Sequence, residues 1–207
     1  LYELVYDMSQ KVAIVTGSNK GIGFSIVKGL LKRFDGAVYL TSRDDANGKA
    51  AVAKLNSLGL KPEYHQLDVT NKNSVAKFRD HIKQKYGGIN ILINNAGVGE
   101  EPGLPYEGCK QVIDINYYSL LTVQELLFPL VRNNGRIVNI SSDCGHLSNI
   151  RNKYWIERRY CFTNHKYLHH YDVFINNVNN AFFIIKFLDP LGLVKVWISY
   201  SRIFSSS

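Results

Sequence analysis

The chain has 207 residues, 45% of them hydrophobic, enough apolar material for one sizeable core and, at this length, one domain. Its net charge is +8, but residues 150–207 carry eight Lys/Arg against three Asp/Glu and so supply +5 of it. Basicity gathered in one segment argues against nucleic-acid binding, which wants a basic face on a folded scaffold. Cys109, Cys144 and Cys161 are widely spaced and form no CxxC pair, so neither a disulfide framework nor a zinc site is indicated, and reduced thiols in a cytoplasmic protein are expected. No apolar run reaches membrane-spanning length.

The chain opens on LYELVYD, which is short and acidic and lacks the pattern of a signal peptide. The single methionine, Met8, is expected to be the natural start, with residues 1–7 lying upstream of it. Residues 11–24 then read KVAIVTGSNKGIGF. An apolar strand is predicted over 11–16, followed by a loop with glycines at 17, 21 and 23 and a helix from about Gly21 to Phe34. Glycines let a backbone approach a pyrophosphate closely, and the free N–H groups and positive dipole end of the helix face the anion. The spacing is Gly-x-x-x-Gly-x-Gly, not the Gly-x-Gly-x-x-Gly of most dinucleotide dehydrogenases. The strand before it and the helix after it supply the context such a loop needs.

Further strands are predicted over 37–42, 62–67, 89–94 and 136–141, with helices near 45–58, 71–86 and 109–132. Strand and helix alternating through short connections give a doubly wound parallel sheet, the α/β Rossmann fold, with ligands at the carboxyl ends of the strands. The segment 98–108, VGEEPGLPYEG, reads as a polar loop leaving the fourth strand at that edge.

After Asn149 the character changes. Residues 150–207 hold one Ala, one Gly and one Pro but thirteen aromatic residues, against twelve in the first 149. Ile, Asn, Lys, Tyr and Phe fill 28 of these 58 positions, the residues that A/T-rich codons encode. No strand–helix alternation is readable there, although AFFIIKFL (181–188) and LVKVWISY (193–200) could form strands locally. Two origins stay open: an unusual C-terminal region, or read-through into an intron or a shifted frame. The expected organisation is therefore an extension (1–8), a nucleotide-binding domain (9–149) and an atypical tail (150–207), with the sheet cut short after its fifth strand and an apolar edge left there.

Several motifs stand in order along the first domain: TGSNKGIG at 16–23, TSRD at 41–44, HQLDV at 65–69, NNAG at 94–97, Asn116 in DINYYS and GRIVNISS at 135–142. Together they resemble the short-chain dehydrogenase/reductases, and KYGGINILINNAGV (85–98) resembles the monomeric NADPH-dependent carbonyl reductases within them. The resemblance runs from about Ser9 to Ser142 or Asn149 and stops there. It implies a cytoplasmic enzyme that passes hydride from NADPH to an aldehyde, ketone or quinone. It also implies a monomer, through the loop after the fourth strand, although that loop is short here by comparison.

The resemblance assigns the cofactor to Gly17, Ser18, Asn19, Lys20, Gly21, Ile22 and Gly23 in the glycine loop, to Asp68 and Val69 at the adenine, and to Asn94, Ala96 and Gly97 at the ribose and nicotinamide. An acidic residue after the second strand would bond the ribose 2′-hydroxyl and select NAD. Here Ser42 is followed by Arg43, and Lys20 lies in the loop, so two cations favour a 2′-phosphate and hence NADPH. A helix N-cap role for Asp68 or Thr70 is an alternative that one residue can combine with cofactor contact. Asn116 lies inside a predicted helix, where asparagine is a poor former. In the family that residue kinks the helix and holds a water in a proton relay. Ser142 matches the serine that bonds the substrate carbonyl, and Ser141 beside it is expected to be structural.

The family's proton donor is a tyrosine with a lysine one helical turn on, because a free tyrosine of pKa about 10 is a weak acid and needs a nearby cation. After Ser142 no Tyr-x-x-x-Lys occurs: Tyr154 is followed four residues on by Arg158, whose planar, always charged fork differs from an ammonium. Tyr106 and Lys110 have the spacing but precede Ser142, and coincidence is the better reading. His146, His165, His169 and His170 show no metal-ligand arrangement. Three readings follow: a carbonyl reductase represented by an incomplete chain, an NADPH-binding module without turnover, and a truncated product without function.

Overall fold

The computed structural model describes residues 10–99 and 105–141, together with the backbone of two strands at 183–189 and 192–198. In chain order the elements are β1 (Val12–Val15), α1 (Gly21–Leu30), β2 (Ala37–Ser42), α2 (Asp45–Asn56), β3 (Glu63–Gln66), α3 (Lys72–Tyr86) and β4 (Ile89–Asn94). They continue with α4 (Tyr106–Ile113), a π-helical turn (Asp114–Tyr118), α5 (Ser119–Leu127), a 3₁₀ turn (Phe128–Leu130), β5 (Val131–Asn139), β6 (Phe183–Asp189) and β7 (Gly192–Ile198).

The strands form one sheet in the order β3-β2-β1-β4-β5-β6-β7. The first five run parallel, which is the doubly wound arrangement expected from the alternation of strands and helices. Along β1, Val12 and Ile14 enter one core cluster with α3 and α5, through Val75, Phe78, Ile82, Val123 and Leu127. Ala13 and Val15 enter the other, with Val27 of α1 and Ala51 and Leu55 of α2. Side chains alternate between the faces of a strand, so a run apolar at every position, as in VAIV, is what a sheet buried on both sides requires.

The chain departs from the predicted elements at three places. α1 ends at Leu30, four residues short of Phe34. The helix expected to reach 132 gives way at Phe128 to a 3₁₀ turn, because Pro129 has no N–H to continue the ladder. β5 starts at Val131, earlier than expected, and shifts register: Ile89 pairs with Val131, but Ile91 pairs with Arg136. The extra residues between are accommodated by Asn134 at φ 65° and by Gly135, where a Cβ would stand 2.5 Å from Val131 Cγ1.

The parallel part of the sheet stops at β5, as expected, but β5 is not its edge. β6 pairs antiparallel with β5 at Val138↔Phe187, and β7 pairs antiparallel with β6 along its whole length. The two apolar runs of the tail thus form a hairpin that continues the sheet, and the exposed fifth-strand edge expected from the sequence is corrected. Among the described residues no helix is long and apolar enough to cross a membrane.

Candidate functional site

The strand order reverses between β1 and β4, so the loops leaving these two strands part and open a crevice at their carboxyl ends. Thr16, buried at the end of β1, ties the two sides together. Its N–H donates to the Ile93 carbonyl at 3.0 Å, and its Oγ1 accepts from the N–H groups of Asn95 and Ala96 at 3.0 Å each. From the other side, Asn95 Nδ2 donates to the carbonyls of Thr16 at 3.0 Å and Gly17 at 2.9 Å.

The three glycines of the loop serve different ends. Gly17 has φ +59°, and a Cβ there would lie 2.8 Å from Ala96 Cα, so it is needed for close contact between the two loops. Gly23 is buried, and a Cβ would meet Asn95 Nδ2 at 2.4 Å and Ser18 Cα at 2.8 Å. Gly21 has φ +58° but open space around it, with nothing within 4 Å of where a Cβ would stand. The loop is therefore closed on its protein side and open on its outer side.

That open side leads to an uncapped helix. Asp44 caps α2 by accepting from Asn47 N–H at 2.7 Å, and Asn71 caps α3 by accepting from the N–H groups of Asn73 and Ser74. The residue at the N-cap of α1 is Lys20, which makes no side-chain cap bond, and the first turn holds no acidic residue. The first N–H groups of a helix have no intrahelical partner. Those of α1 are thus offered to an anion, beside the exposed side chain of Lys20.

Ser18 turns inward. It is fully buried, its Oγ donates to the Val15 carbonyl at 2.8 Å and accepts from Thr41 N–H at 3.0 Å, and its own N–H donates to the Thr41 carbonyl at 2.8 Å. Its hydroxyl and N–H are both spent in anchoring the glycine loop to β2. Asn19 is half-buried and Ile22 likewise, while Lys20 and Gly21 are exposed.

At the end of β2, Ser42 is buried and Arg43 is exposed. After β3, Asp68 is half-buried, and its Oδ1 accepts from Thr70 N–H at 3.0 Å and from Thr70 Oγ1 at 2.7 Å. The cap of α3 is Asn71, so the N-cap role considered for Asp68 or Thr70 is corrected: these two form the turn that leads into the cap. Val69 is buried in the core cluster with Val75 and Phe78.

At the end of β4, Asn94 Nδ2 donates to Asn139 Oδ1 at 2.8 Å, fastening β4 to β5. Asn94 Oδ1 and Ser141 Oγ are buried without a hydrogen-bond partner among the described residues. Ala96 is half-buried and Gly97 is exposed, with Asn116 Oδ1 3.3 Å from where a Cβ of residue 97 would be. Asn116 sits in the π-helical turn, and its side chain pairs with the backbone of Val98: Oδ1 accepts from Val98 N–H and Nδ2 donates to the Val98 carbonyl, each at 2.9 Å. A poor helix former is tolerated there because the ladder is already widened and the amide has a backbone partner. A cavity of about 40 Å³, room for water, is lined by Thr16, Asn94, Asn116, Ser119 and Asn139 among others.

Ser142, Cys144, His146, Tyr154, Cys161, His165, His169 and His170 lie outside the described residues, as do residues 100–104 of the loop after β4. Tyr106 and Lys110 lie on α4, where Tyr106 is 78% exposed and Lys110 Nζ pairs with Asp114 Oδ2 at 2.6 Å. The Lys110 ammonium is held above its ordinary pKa by its hydrogen bond to Asp114. Thr16, Thr41, Asn95 and Asn139 hold the site together and were not singled out as site residues from the sequence, although Asn95 stands in NNAG.

The chain matches the short chain dehydrogenase family over residues 11–154. It is 43% identical over 136 residues to carbonyl reductase [NADPH] 3 of Rattus norvegicus, an alignment that covers 64% of this chain and 49% of that protein. The chain thus spans about half the length of the curated relatives it matches. Its fold is similar to that of salutaridine reductase from Papaver somniferum, with a TM-score of 0.66 and 34% identity over 72% of this chain and 63% of that one. It is also similar to a metagenomic short-chain oxidoreductase in complex with NADP, with a TM-score of 0.59 and 27% identity over 68% and 65% of the two chains.

Proposed function

Because this chain belongs to the short-chain dehydrogenase family, we propose that it carries the NADPH-binding half of a carbonyl reductase. One observation carries the reading: α1, unlike α2 and α3, begins without a side-chain cap, behind a glycine turn that is sealed inward at Gly17 and Gly23 and open outward at Gly21. These features fit a dinucleotide. The pyrophosphate would be held by backbone N–H groups of residues 19–22 at the start of α1, with Ser18 anchoring the loop from within. Arg43 and Lys20, exposed cations with no acidic residue in place of Ser42, would hold the ribose 2′-phosphate. Asp68 and Val69 would meet the adenine, and Asn94, Ala96 and Gly97 would border the ribose and nicotinamide. The names of the similar carbonyl reductases, which specify NADPH, support the same choice.

Bound NADPH supplies hydride to a carbonyl carbon. Ser142 would bond the oxygen of an aldehyde, ketone or quinone, and Asn116, fixed to Val98, would hold the proton path in place. A second reading, cofactor binding without turnover, is favoured by one fact: no Tyr-x-x-x-Lys follows Ser142 in this sequence. Loss of a positioned general acid costs roughly 10²–10⁴ in rate. The two are separated by titrating the full chain with NADPH and NADH by fluorescence and then offering a quinone while following oxidation of the nicotinamide. We expect binding that favours NADPH. Turnover would make the chain a reductase with another proton donor, binding alone a nucleotide module, and failure to bind either nucleotide would overturn the proposal. Cytoplasmic location and a monomeric state belong to the same proposal; size-exclusion chromatography with light scattering tests the second.

A further inference from the structure

The ladder between β2 and β3 ends at the pair Ser42↔Gln66, followed by a last backbone bond from Leu67 N–H to the Ser42 carbonyl at 2.9 Å. Beyond it the chain diverges, Arg43 leading into α2 and Asp68 toward α3. A side-chain relay bridges the gap. Gln66 Nε2 donates to the Arg43 carbonyl at 2.9 Å, and Gln66 Oε1 accepts from Ser74 Oγ at 3.3 Å. The same Ser74 hydroxyl accepts from the Asp68 N–H at 3.0 Å, and Ser74 is itself placed by its N–H bond to the cap residue Asn71 at 3.1 Å.

The relay has one workable polarity. Ser74 has a single hydroxyl proton, which goes to Gln66, so the oxygen is free to accept from Asp68. Residue 66 must then accept from a hydroxyl and donate to a carbonyl at once, which a carboxamide does. Glutamate offers acceptors alone and would set a carboxylate against the Arg43 carbonyl; leucine offers neither.

We propose that Gln66 is a positioning residue that fixes the spacing between Arg43 and Asp68 and thereby sets the preference for the 2′-phosphorylated cofactor. The proposal rests on the NADPH reading above. Gln66 is not a contact residue in it. Its amide sets the backbone from which the Arg43 side chain extends, and Ser74 sets the backbone of Asp68.

The test is fluorescence titration of the full chain with NADPH and NADH, for the unaltered protein, Gln66→Leu, Gln66→Glu and Ser74→Ala, and for Gln66→Leu combined with Arg43→Ala. A hydrogen bond of ordinary net strength corresponds to a factor of about 2–10 in affinity. We expect each Gln66 substitution to weaken NADPH by that factor and to leave NADH unchanged, Gln66→Leu to have no further effect once Arg43 is alanine, and Ser74→Ala to weaken both nucleotides, because Asp68 meets the adenine they share. Circular dichroism confirms folding, and should Gln66→Leu not fold, Gln66→Glu carries the measurement. Equal weakening of both nucleotides by the Gln66 substitutions, or none of either, overturns the role of Gln66 while leaving the NADPH reading intact. An unaltered chain that binds neither nucleotide overturns both.

Discussion

The side chain of Asn95 holds the turn that follows β1: its Nδ2 donates to the carbonyls of both Thr16 and Gly17, at 3.0 and 2.9 Å. The Thr16 hydroxyl returns the contact by accepting from Asn95 N–H at 3.0 Å. A loop carried on β1 is thus shaped by a residue on the far side of the crevice. Asn95→Ala would leave two carbonyls of the turn without their amide donor, at about 1–3 kcal/mol where such groups are buried. We expect a fall of that order in chemical-denaturation stability, together with weaker NADPH binding because the turn loses its shape. Unchanged stability would mean that water replaces the amide at no cost.

Gly21 and Gly23 should separate folding from binding. Alanine at Gly21 takes a left-handed backbone with nothing within 4 Å of its methyl group, so the cost to stability is about 1–2 kcal/mol. The methyl would, however, stand on the open side of the loop, and NADPH affinity should fall further than stability does. Alanine at Gly23 would press on Asn95 Nδ2, Ser18 Cα and the Gly17 carbonyl, the farthest of them 2.9 Å away, and two of the three are backbone. That substitution should destabilise the fold itself. Thermal melts paired with nucleotide titrations check both, and equal effects of the two variants on stability would refute the distinction.

The strands and the glycine turn were legible because they rest on local features. β1 and β2 are apolar at nearly every position, as strands buried on both faces must be, and a glycine is the residue that adopts φ near +59° at position 17 without strain. What could not be read depends on pairing across the sheet. Ser18 reads as one more polar loop residue until β2 is laid beside β1, when its hydroxyl meets the Thr41 N–H. Asn95 and Asn139 gain their partners only after β4 stands between β1 and β5. The early start of β5 was hidden by Asn133, Asn134 and Gly135, which read as a loop and in fact form the irregular stretch inside the strand. The hairpin of β6 and β7 was visible as two apolar runs, but nothing local says that it returns to β5.

Asn116 joins the π-helical turn to the segment after NNAG through paired bonds with Val98. Asn116→Ala removes both bonds, and we expect a loss of about 1–3 kcal/mol if the Val98 groups stay dry. Asn116→Asp keeps an acceptor for the Val98 N–H but places a carboxylate against its carbonyl, so it should rescue little at neutral pH. Equilibrium unfolding of the two variants is the check. Full stability in Asn116→Ala would show that the turn is held by packing of Ile115 and its neighbours alone.

Arg43 should discriminate between nucleotides without supporting the fold. Its side chain is exposed at the end of β2, and the structure uses its carbonyl, not its guanidinium, in the bond from Gln66. A charge-assisted bond to a phosphate is worth about 1.5–3 kcal/mol, or roughly 10–100-fold in affinity. Arg43→Ala should therefore weaken NADPH by that factor, leave NADH within about twofold and leave the melting temperature unchanged. Parallel loss of both nucleotides would move the 2′-phosphate away from Arg43.

A pH dependence of stability should arise on the face of β2 and β3 that packs against α3. His81 of α3 has its Nε2 2.8 Å from the Tyr39 hydroxyl, and its ring lies 4.9 Å from that of His65 on β3. Burial, then the neighbouring His65 and Lys85, hold its pKa below the ordinary 6.5, against a smaller opposing pull from Glu63. Tyr39, raised far above its usual range chiefly by burial and then by Tyr86, stays neutral throughout. The unfolded chain therefore takes up the His81 proton before the folded one does, so that between the two values the unfolded state binds more protons and stability rises with pH. The contribution is fully present above about 6.5, the unfolded value, and is lost as pH falls through the lowered folded value. Gln in place of His81 offers Tyr39 a hydrogen-bonding partner without titrating. Denaturation of His81→Gln and the unaltered chain across this range should give curves that run together above pH 6.5 and separate below it, the unaltered chain losing more. Curves that stay parallel would place the pH sensitivity on other groups.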